Sequence, residues 1–282
     1  QTDYLETFHG LFFPGHLHTK DSLQQALQFS FQDSDVLIVS YPKSGTTWLQ
    51  EIVTLISSKG DPHLSQTVPN WARAPWLEQH YFATFLEMAQ AVPDMQSTLC
   101  CVISQVIYVS RNPKDVVVSF YHFHKMANFL PEAGSFPEFL NRFLEVHYGS
   151  WFDHIKGWTS QMNNVLHITY EEMSMDIRGA IERLSGHLQS PLLEDELNNC
   201  VKHCSFSSMK GNKMANYTLV NREIMDHNKG SFMRKGTIGD WKNMFTKELD
   251  THFKSVFESK MEDCTLEFVW DEPQSDETHA DE

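Results

Sequence analysis

The segment YPKSGTTW at residues 41–48 combines the groups that proteins use to bind a small anion. Lys43 supplies a full positive charge, and three hydroxyl donors follow it: Ser44, Thr46 and Thr47. Gly45 lets the backbone approach a ligand closely, and a helical pattern begins just after it, so free N–H groups and the helix dipole favour an anion there. The segment predicts a phosphate cradle, with a plain strand-to-helix turn and a solvated lysine as the alternative.

This segment differs from the loop of nucleoside triphosphatases. A Walker A loop reads G-x-x-x-x-G-K-[ST], whereas Lys43 precedes Gly45 here. The next strand ends at Arg111, where a nucleoside triphosphatase places an acid that holds magnesium. The pattern favours a metal-independent anion site and disfavours a nucleoside kinase.

Two further cationic features follow along the chain. Arg111 ends a strand and Ser119 lies eight residues later, two turns into the next helix, so both can reach one phosphate group. The segment FMRKGTIGDWKN sets Arg234 and Lys235 beside Gly236. Each feature alone is explained as well or better by solvated surface charge. Together with the first segment, they indicate a ligand that carries more than one anionic group.

The elements that position these residues repeat one pattern of strand, polar turn and helix. The strands are expected at 36–39, within QVIYV, and at 165–169. The first helix places five apolar residues on one face: Trp48, Leu49, Ile52, Val53 and Ile56. In the second unit, Asn112 can cap the helix and Pro113 suits its first position.

Strands that alternate with helices predict an α/β fold, a single domain with a central parallel sheet flanked by helices on both faces. Ligands of such sheets bind beyond the carboxyl ends of the strands. All three polar turns are then expected at the same edge of the sheet.

Composition narrows the classes of function. The chain has 282 residues, 41% of them hydrophobic, and no run of about 18 apolar residues that a membrane span needs. A net charge of −15 argues against nucleic-acid partners. Residues 271–282 are acidic and polar and predict a disordered tail. The cysteines show no metal-ligand spacing and indicate reduced thiols in the cytoplasm: Cys100, Cys101, Cys200, Cys204 and Cys264.

From about Phe8 to Trp270 the sequence resembles the cytosolic sulfotransferases, nearest their hydroxysteroid-type and related vertebrate branches. These enzymes move a sulfuryl group from 3′-phosphoadenosine 5′-phosphosulfate (PAPS) to a hydroxyl or amine. The matching motifs are YPKSGTTW, SRNPKDVVVSFYHF, YGSWFDHIKGW, ITYEEM, HCSFSSMK, NKMANYTL and FMRKGTIGDWK. The resemblance implies one sulfotransferase domain over residues 8–270, with a P-loop-like phosphosulfate-binding loop and no metal.

The resemblance also implies roles for individual residues. Lys43 is expected near the bridging oxygen of the phosphosulfate, as a catalytic residue. The residues implied to bind PAPS and its product PAP are Lys43, Ser44, Gly45, Thr46, Thr47, Trp48, Arg111, Ser119, Tyr170, Cys204, Phe206, Arg234, Lys235 and Gly236. The implied acceptor is a small apolar alcohol or phenol, such as a steroid, in a pocket built from Phe12, Trp76, Tyr81, Phe82 and Phe129.

The sequence departs from the family in two places. Relatives carry a Thr-His-Leu-Pro segment whose histidine accepts a proton, and it is missing here; His80 is the candidate replacement. Two readings therefore stay open, an active sulfotransferase and a PAPS-, PAP- or lipid-binding relative without the base. In the short dimer motif Lys242 and Thr246 match, but Lys247 and Thr251 do not, which predicts a monomer or weak homodimer.

Overall fold

A parallel sheet lies at the centre of the computed structural model, which describes residues 5–31, 35–82, 84, 105–145, 149–160 and 165–272. The strands are β1 (Leu5–Phe8), β2 (Leu11–Pro14), β3 (Val36–Ser40), β4 (Gln105–Ser110) and β5 (Val165–Thr169). The helices are α1 (Lys20–Gln28), α2 (Thr46–Ser57), α3 (His63–Thr67), α4 (Asn70–Arg73), α5 (Pro113–Met126), α6 (Phe136–Leu144), α7 (Trp151–Thr159), α8 (Tyr170–Met175), α9 (Ile177–His187), α10 (Glu194–His203), α11 (Phe206–Gly211) and α12 (Lys247–Lys260).

The sheet has the strand order β3-β4-β5, and both pairs are parallel. Ser40 pairs with Val109, and Ser110 pairs with Thr169, so the three strands end at one edge. This confirms the predicted parallel sheet and the shared edge of the three polar turns. The antiparallel hairpin β1-β2, which was not predicted, forms a separate two-stranded sheet.

Helices cover both faces of the sheet, as predicted. Ile107 and Val109 belong to a buried cluster with α2, α9 and α10. Tyr108, between them, belongs to a second cluster with α5, α6, α7 and α12. Successive side chains of a strand point to opposite faces, so β4 contributes to both cores.

Helix α2, which follows the cradle, is buried on nearly all sides rather than along one apolar face. Glu51 and Arg73 are both at most 1% exposed and form an ion pair of 2.7 Å. Ser65 donates to the Glu51 carboxylate, and Arg73 also donates to Thr54 at 2.9 Å. A buried charge is tolerated when it is paired and hydrogen-bonded. This polar network fixes α2 against α3 and α4 and so holds the loop before it.

The start of α5 confirms its predicted cap. The Asn112 side chain accepts from the Asp115 N–H at 2.9 Å, and Pro113 is the first helical residue. No helix in the described ranges is long and apolar enough to cross a bilayer. Residues 85–104, where relatives carry Thr-His-Leu-Pro, lie outside those ranges, as does most of the predicted tail, residues 273–282. Asp271, at the start of that tail, pairs with Lys242 at 2.7 Å.

Candidate active site

The loop between β3 and α2 is held in a shape that requires glycine. Gly45 caps α2 with a left-handed backbone, φ +109°. A Cβ at this position would lie 3.0 Å from the Tyr170 ring. Lys43 also has a positive φ of 69°, which is strained for a residue with a side chain. The loop is therefore a specialised turn that brings the N-terminus of α2 to the edge of the sheet.

Lys43 lies between two aromatic rings at this edge. Its Nζ is 4.2 Å from the centroid of Phe123 and 4.1 Å from that of Phe232. Burial, together with the charges of Arg111 and Arg234, lowers the pKa of Lys43 to about 7. An anion bound beside the ammonium group would stabilise its charged form. The two rings escaped sequence reasoning, which gave no reason to pair them with Lys43.

Arg111 and Ser44 each carry a buried donor for which the described part of the chain supplies no partner. The Arg111 guanidinium lies 3.9 Å from the centroid of Tyr170, and its Nη2 donates to the Thr237 carbonyl at 3.1 Å. Within the described residues, the buried Arg111 Nε and the buried Ser44 Oγ have no hydrogen-bond partner. Buried donors without a partner are rare in folded proteins, so these two fit a site whose anionic ligand completes the hydrogen bonding.

An aspartate that sequence reasoning missed attaches the third cationic segment to the same edge. The Asp115 carboxylate accepts from the backbone N–H groups of Gly239 at 2.8 Å and Trp241 at 3.0 Å. These bonds join the turn after the 234–236 segment to α5. Its position on the first turn of a helix, beside the predicted cap Asn112, was the signal available in the sequence.

The cations of that segment share one carboxylate. Arg234 and Lys235 both form ion pairs with Asp240. Burial raises the pKa of Asp240, but hydrogen bonds from Lys235, Arg234 and Asn243 outweigh that effect and bring it to about 2. The carboxylate therefore stays charged at neutral pH and holds both cations in place.

The resemblance implies that Trp48, Tyr170 and Phe206 enclose or contact the adenine of PAPS, and two of these rings meet directly. Trp48 and Tyr170 meet edge to face with ring centroids 5.2 Å apart. Trp48 Nε1 donates to the Cys204 carbonyl at 2.8 Å, and the Cys204 side chain is completely buried. Cys204 therefore contacts Trp48 through its backbone carbonyl.

One cavity of about 970 Å³ connects most of the predicted site. The predicted residues that line it are Phe12, Lys43, Gly45, Thr46, Thr47, Trp48, Trp76, Tyr81, Arg111, Ser119, Phe129, Tyr170, Phe206, Arg234, Lys235 and Gly236. Four predicted residues are not on its wall: Ser44, His80, Phe82 and Cys204. His80 Nδ1 lies 2.9 Å from the Leu17 carbonyl oxygen, and Phe82 packs edge to face on Phe29 at 5.4 Å.

Three histidines that sequence reasoning did not select also line this cavity: His16, His18 and His154. His124 lines a neighbouring cavity of about 260 Å³. The spacing along the chain does not show that His16, His18 and His154 share a cavity with Lys43, because the turn after β2 and helix α7 are both distant in sequence from the Lys43 loop.

Gly236 gives a direct test of how the 234–236 segment packs. A Cβ there would lie 2.3 Å from the Phe206 ring, and φ is +73°. Gly236→Ala is expected to lower the free energy of unfolding by about 1–2 kcal/mol, measured by urea denaturation. The matched control is Gly186→Ala inside α9, where a Cβ meets nothing within 4 Å, and it should be neutral or stabilising. Equal effects at both positions would contradict the packing argument.

The comparisons with known proteins agree with this geometry. Residues 33–265 match the model of the sulfotransferase domain. Human sulfotransferase 2B1 is 43% identical over 95% of this chain and 78% of its own length. Human sulfotransferase 2A1 is 39% identical over 94% of this chain and 98% of its own length. The crystal structure of mouse SULT7A1 complexed with PAP is 30% identical, with a TM-score of 0.72 over 93% of this chain and 95% of that one. The chain belongs to the sulfotransferase family.

Proposed function

We propose that PAPS binds along the carboxyl edge of the sheet, with its 5′-phosphosulfate in the 43–48 loop. Arg111 and Ser119 are assigned to the 3′-phosphate, together with the 234–236 segment. The observation that carries this assignment is a pair of buried donors, Ser44 Oγ in the loop and Arg111 Nε at the end of β4, that have no hydrogen-bond partner among the described residues. The family membership and the PAP complex of mouse SULT7A1 support the same ligand.

The chain is a sulfotransferase that moves a sulfuryl group from PAPS to the hydroxyl of a small acceptor. The acceptor oxygen forms a bond to sulfur, the bond between sulfur and the bridging oxygen breaks, and its electron pair stays on the phosphate of PAP. The acceptor's proton leaves to a base. As in phosphoryl transfer, the protein contributes in-line positioning and stabilises charge on the leaving group. Lys43 and the N–H groups of α2 supply that charge stabilisation.

The acceptor half of the cavity favours an apolar alcohol or phenol. Its walls include Phe12, Trp76, Tyr81 and Phe129, and apolar surface dominates the lining. Phe12 and Tyr81 are 41% and 43% exposed, so large apolar side chains are in contact with water. Covering them with an apolar acceptor removes that surface from water and is favourable. Aromatic walls suit a steroid or phenol.

Calorimetry with PAP in the presence of EDTA tests the cofactor assignment. In the described part of the chain, no group of three or more His, Cys, Asp or Glu side chains is arranged to hold a metal. We expect PAP to bind in EDTA, and turnover of labelled PAPS with steroids and phenols to follow. No heat at millimolar PAP, or tight binding of Mg-ATP alone, contradicts the proposal. Normal PAP binding without turnover favours the second reading, a binding relative that lacks the base.

The affinity for PAPS should depend on pH through Lys43. With a pKa of about 7 the free side chain loses its charge as the pH rises, whereas the phosphosulfate favours the charged form. Binding above pH 7 therefore takes up a proton, and the affinity is expected to fall by up to about tenfold per pH unit. The ligand's 3′-phosphate ionises near pH 6, so its charge is constant above about pH 7.5. Lys43→Arg stays charged and should remove the slope.

Assembly and location are also proposed. Thr246 caps α12, and Lys247 begins that helix as an exposed charge. With Lys247 and Thr251 in place of the usual motif residues, we expect a monomer or weak homodimer at micromolar concentration, measured by light scattering. A dimer that persists at nanomolar concentration contradicts this.

A cytoplasmic location follows from the family and is tested by cell fractionation.

A further inference from the structure

The turn after β2 places a histidine on the wall of the cavity that holds Lys43. His18 is 6% exposed and lines this cavity. The same turn carries His16, whose ring stacks on Phe129 with centroids 6.0 Å apart. Phe129 meets Phe123 at 6.2 Å, and Phe123 lies 4.2 Å from Lys43 Nζ. A continuous aromatic wall therefore joins the turn of His18 to the catalytic lysine.

The hydrogen bonding of His18 fixes which ring nitrogen can accept a proton. Nδ1 lies 3.0 Å from the Pro14 carbonyl oxygen. A carbonyl only accepts, so the neutral ring carries its proton on Nδ1 and keeps a lone pair on Nε2. The ring also packs on Phe13 at 5.3 Å, which holds its orientation. Because the motif histidine of relatives is missing from this sequence, we propose that His18 Nε2 accepts the proton of the acceptor hydroxyl.

The charge state of His18 suits this role. Burial lowers its pKa, the hydrogen bond to Pro14 opposes that shift, and the neighbouring His80 adds to it. The ring is therefore neutral at physiological pH and able to take a proton. Glu78 lines the same cavity, and burial raises the pKa of its carboxyl group.

The other histidines are less suited to the step. His80 is not on the cavity wall, although its Nδ1 is held by the Leu17 carbonyl in a similar way. His154 Nδ1 lies 3.1 Å from the Tyr108 hydroxyl, whose pKa is raised by burial. A phenol hydroxyl can donate or accept, so this contact, unlike the bond of His18 to a carbonyl, does not fix a lone pair on Nε2 of His154. His16 is exposed.

The inference rests on the proposed function and completes its proton balance. As the acceptor oxygen bonds to sulfur, its proton moves to His18 Nε2, and the resulting imidazolium is held by the Pro14 carbonyl. Deprotonation then returns the neutral ring. A positioned base commonly contributes about 10²–10⁴-fold to the rate.

Single-turnover kinetics of His18→Ala and His80→Ala, each loaded with PAPS and unsubstituted phenol, which is neutral at the assay pH, test the inference. We expect His18→Ala to lose about 10²–10⁴-fold in rate with unchanged PAP affinity, and His80→Ala to stay within a few-fold of the wild type. Added imidazole should partly restore His18→Ala. The wild-type rate should rise with pH through the pKa of His18, and this dependence should disappear in the variant. His18→Gln, which keeps an amide donor, serves if the alanine variant does not fold.

Binding of 4-nitrophenol to the protein–PAP complex gives a second readout without turnover, because its neutral and ionised forms differ in colour. The ionised fraction should fall in His18→Ala and not in His80→Ala. The inference is overturned if His18→Ala turns over like the wild type, if Glu78→Gln causes the loss instead, or if the wild type binds PAP but shows no turnover. Failure of PAP to bind at all would overturn the proposed function instead.

Discussion

Lys43→Ala is expected to lower the rate of sulfuryl transfer by about 10²–10³-fold, the range for removing one group that stabilises charge on a transition state. Charge develops on the leaving phosphate as the bond to sulfur breaks, and the ammonium group between Phe123 and Phe232 is placed where water is partly excluded. An interaction in such a place is stronger than in water. PAP affinity should also weaken, by about 1.5–3 kcal/mol.

The measurement is a single-turnover rate at saturating PAPS, which separates the rate from the affinity. Lys43→Arg is the matched control, since it keeps the charge but changes its shape and reach, and it should recover part of the rate. The free energy of unfolding should not fall in Lys43→Ala, because the protein no longer has to bury a cation that has lost much of its hydration. A rate within a few-fold of the wild type would remove Lys43 from the catalytic step.

The edge of the sheet that carries the site could be predicted from sequence because each strand, turn and helix there is marked by residues close together in the chain. Strand, turn and helix patterns gave the three strands, and Asn112 and Pro113 gave the start of α5. Parallel pairing then brings the three turns together as a geometric consequence. Predicting where the cationic residues lie therefore required no knowledge of contacts between distant parts of the chain.

What escaped prediction depends on contacts between distant parts of the chain. Glu51 and Arg73 are interior residues only because each neutralises the other, and neither position shows this by itself. Phe232 reaches Lys43, and Asp115 reaches Gly239, across more than a hundred residues. His18 was missed for the same reason, since its cavity is formed by segments that lie far apart along the chain.

Arg111→Ala is expected to weaken PAP binding by about 1.5–3 kcal/mol and to leave adenosine 5′-monophosphate almost unaffected. The difference between the two ligands is the 3′-phosphate, to which Arg111 is assigned. Arg111 is 9% exposed, and its Nε has no partner within the described residues, so a phosphate there gains a charge-assisted hydrogen bond at little cost in ordering the side chain. Calorimetry with both ligands on both proteins completes the cycle.

The cycle also separates binding from positioning. Arg111 stacks on Tyr170 at 3.9 Å and donates to the Thr237 carbonyl. Its loss can therefore disturb the Tyr170 ring and the backbone next to the 234–236 segment. Such a disturbance would weaken the binding of adenosine 5′-monophosphate as much as that of PAP. That result would contradict the assignment of Arg111 to the 3′-phosphate. Arg111→Lys keeps the charge but loses the planar donor set that suits both phosphate and Thr237. It should therefore recover only part of the preference for PAP, because selectivity for the 3′-phosphate needs directed donors as well as charge.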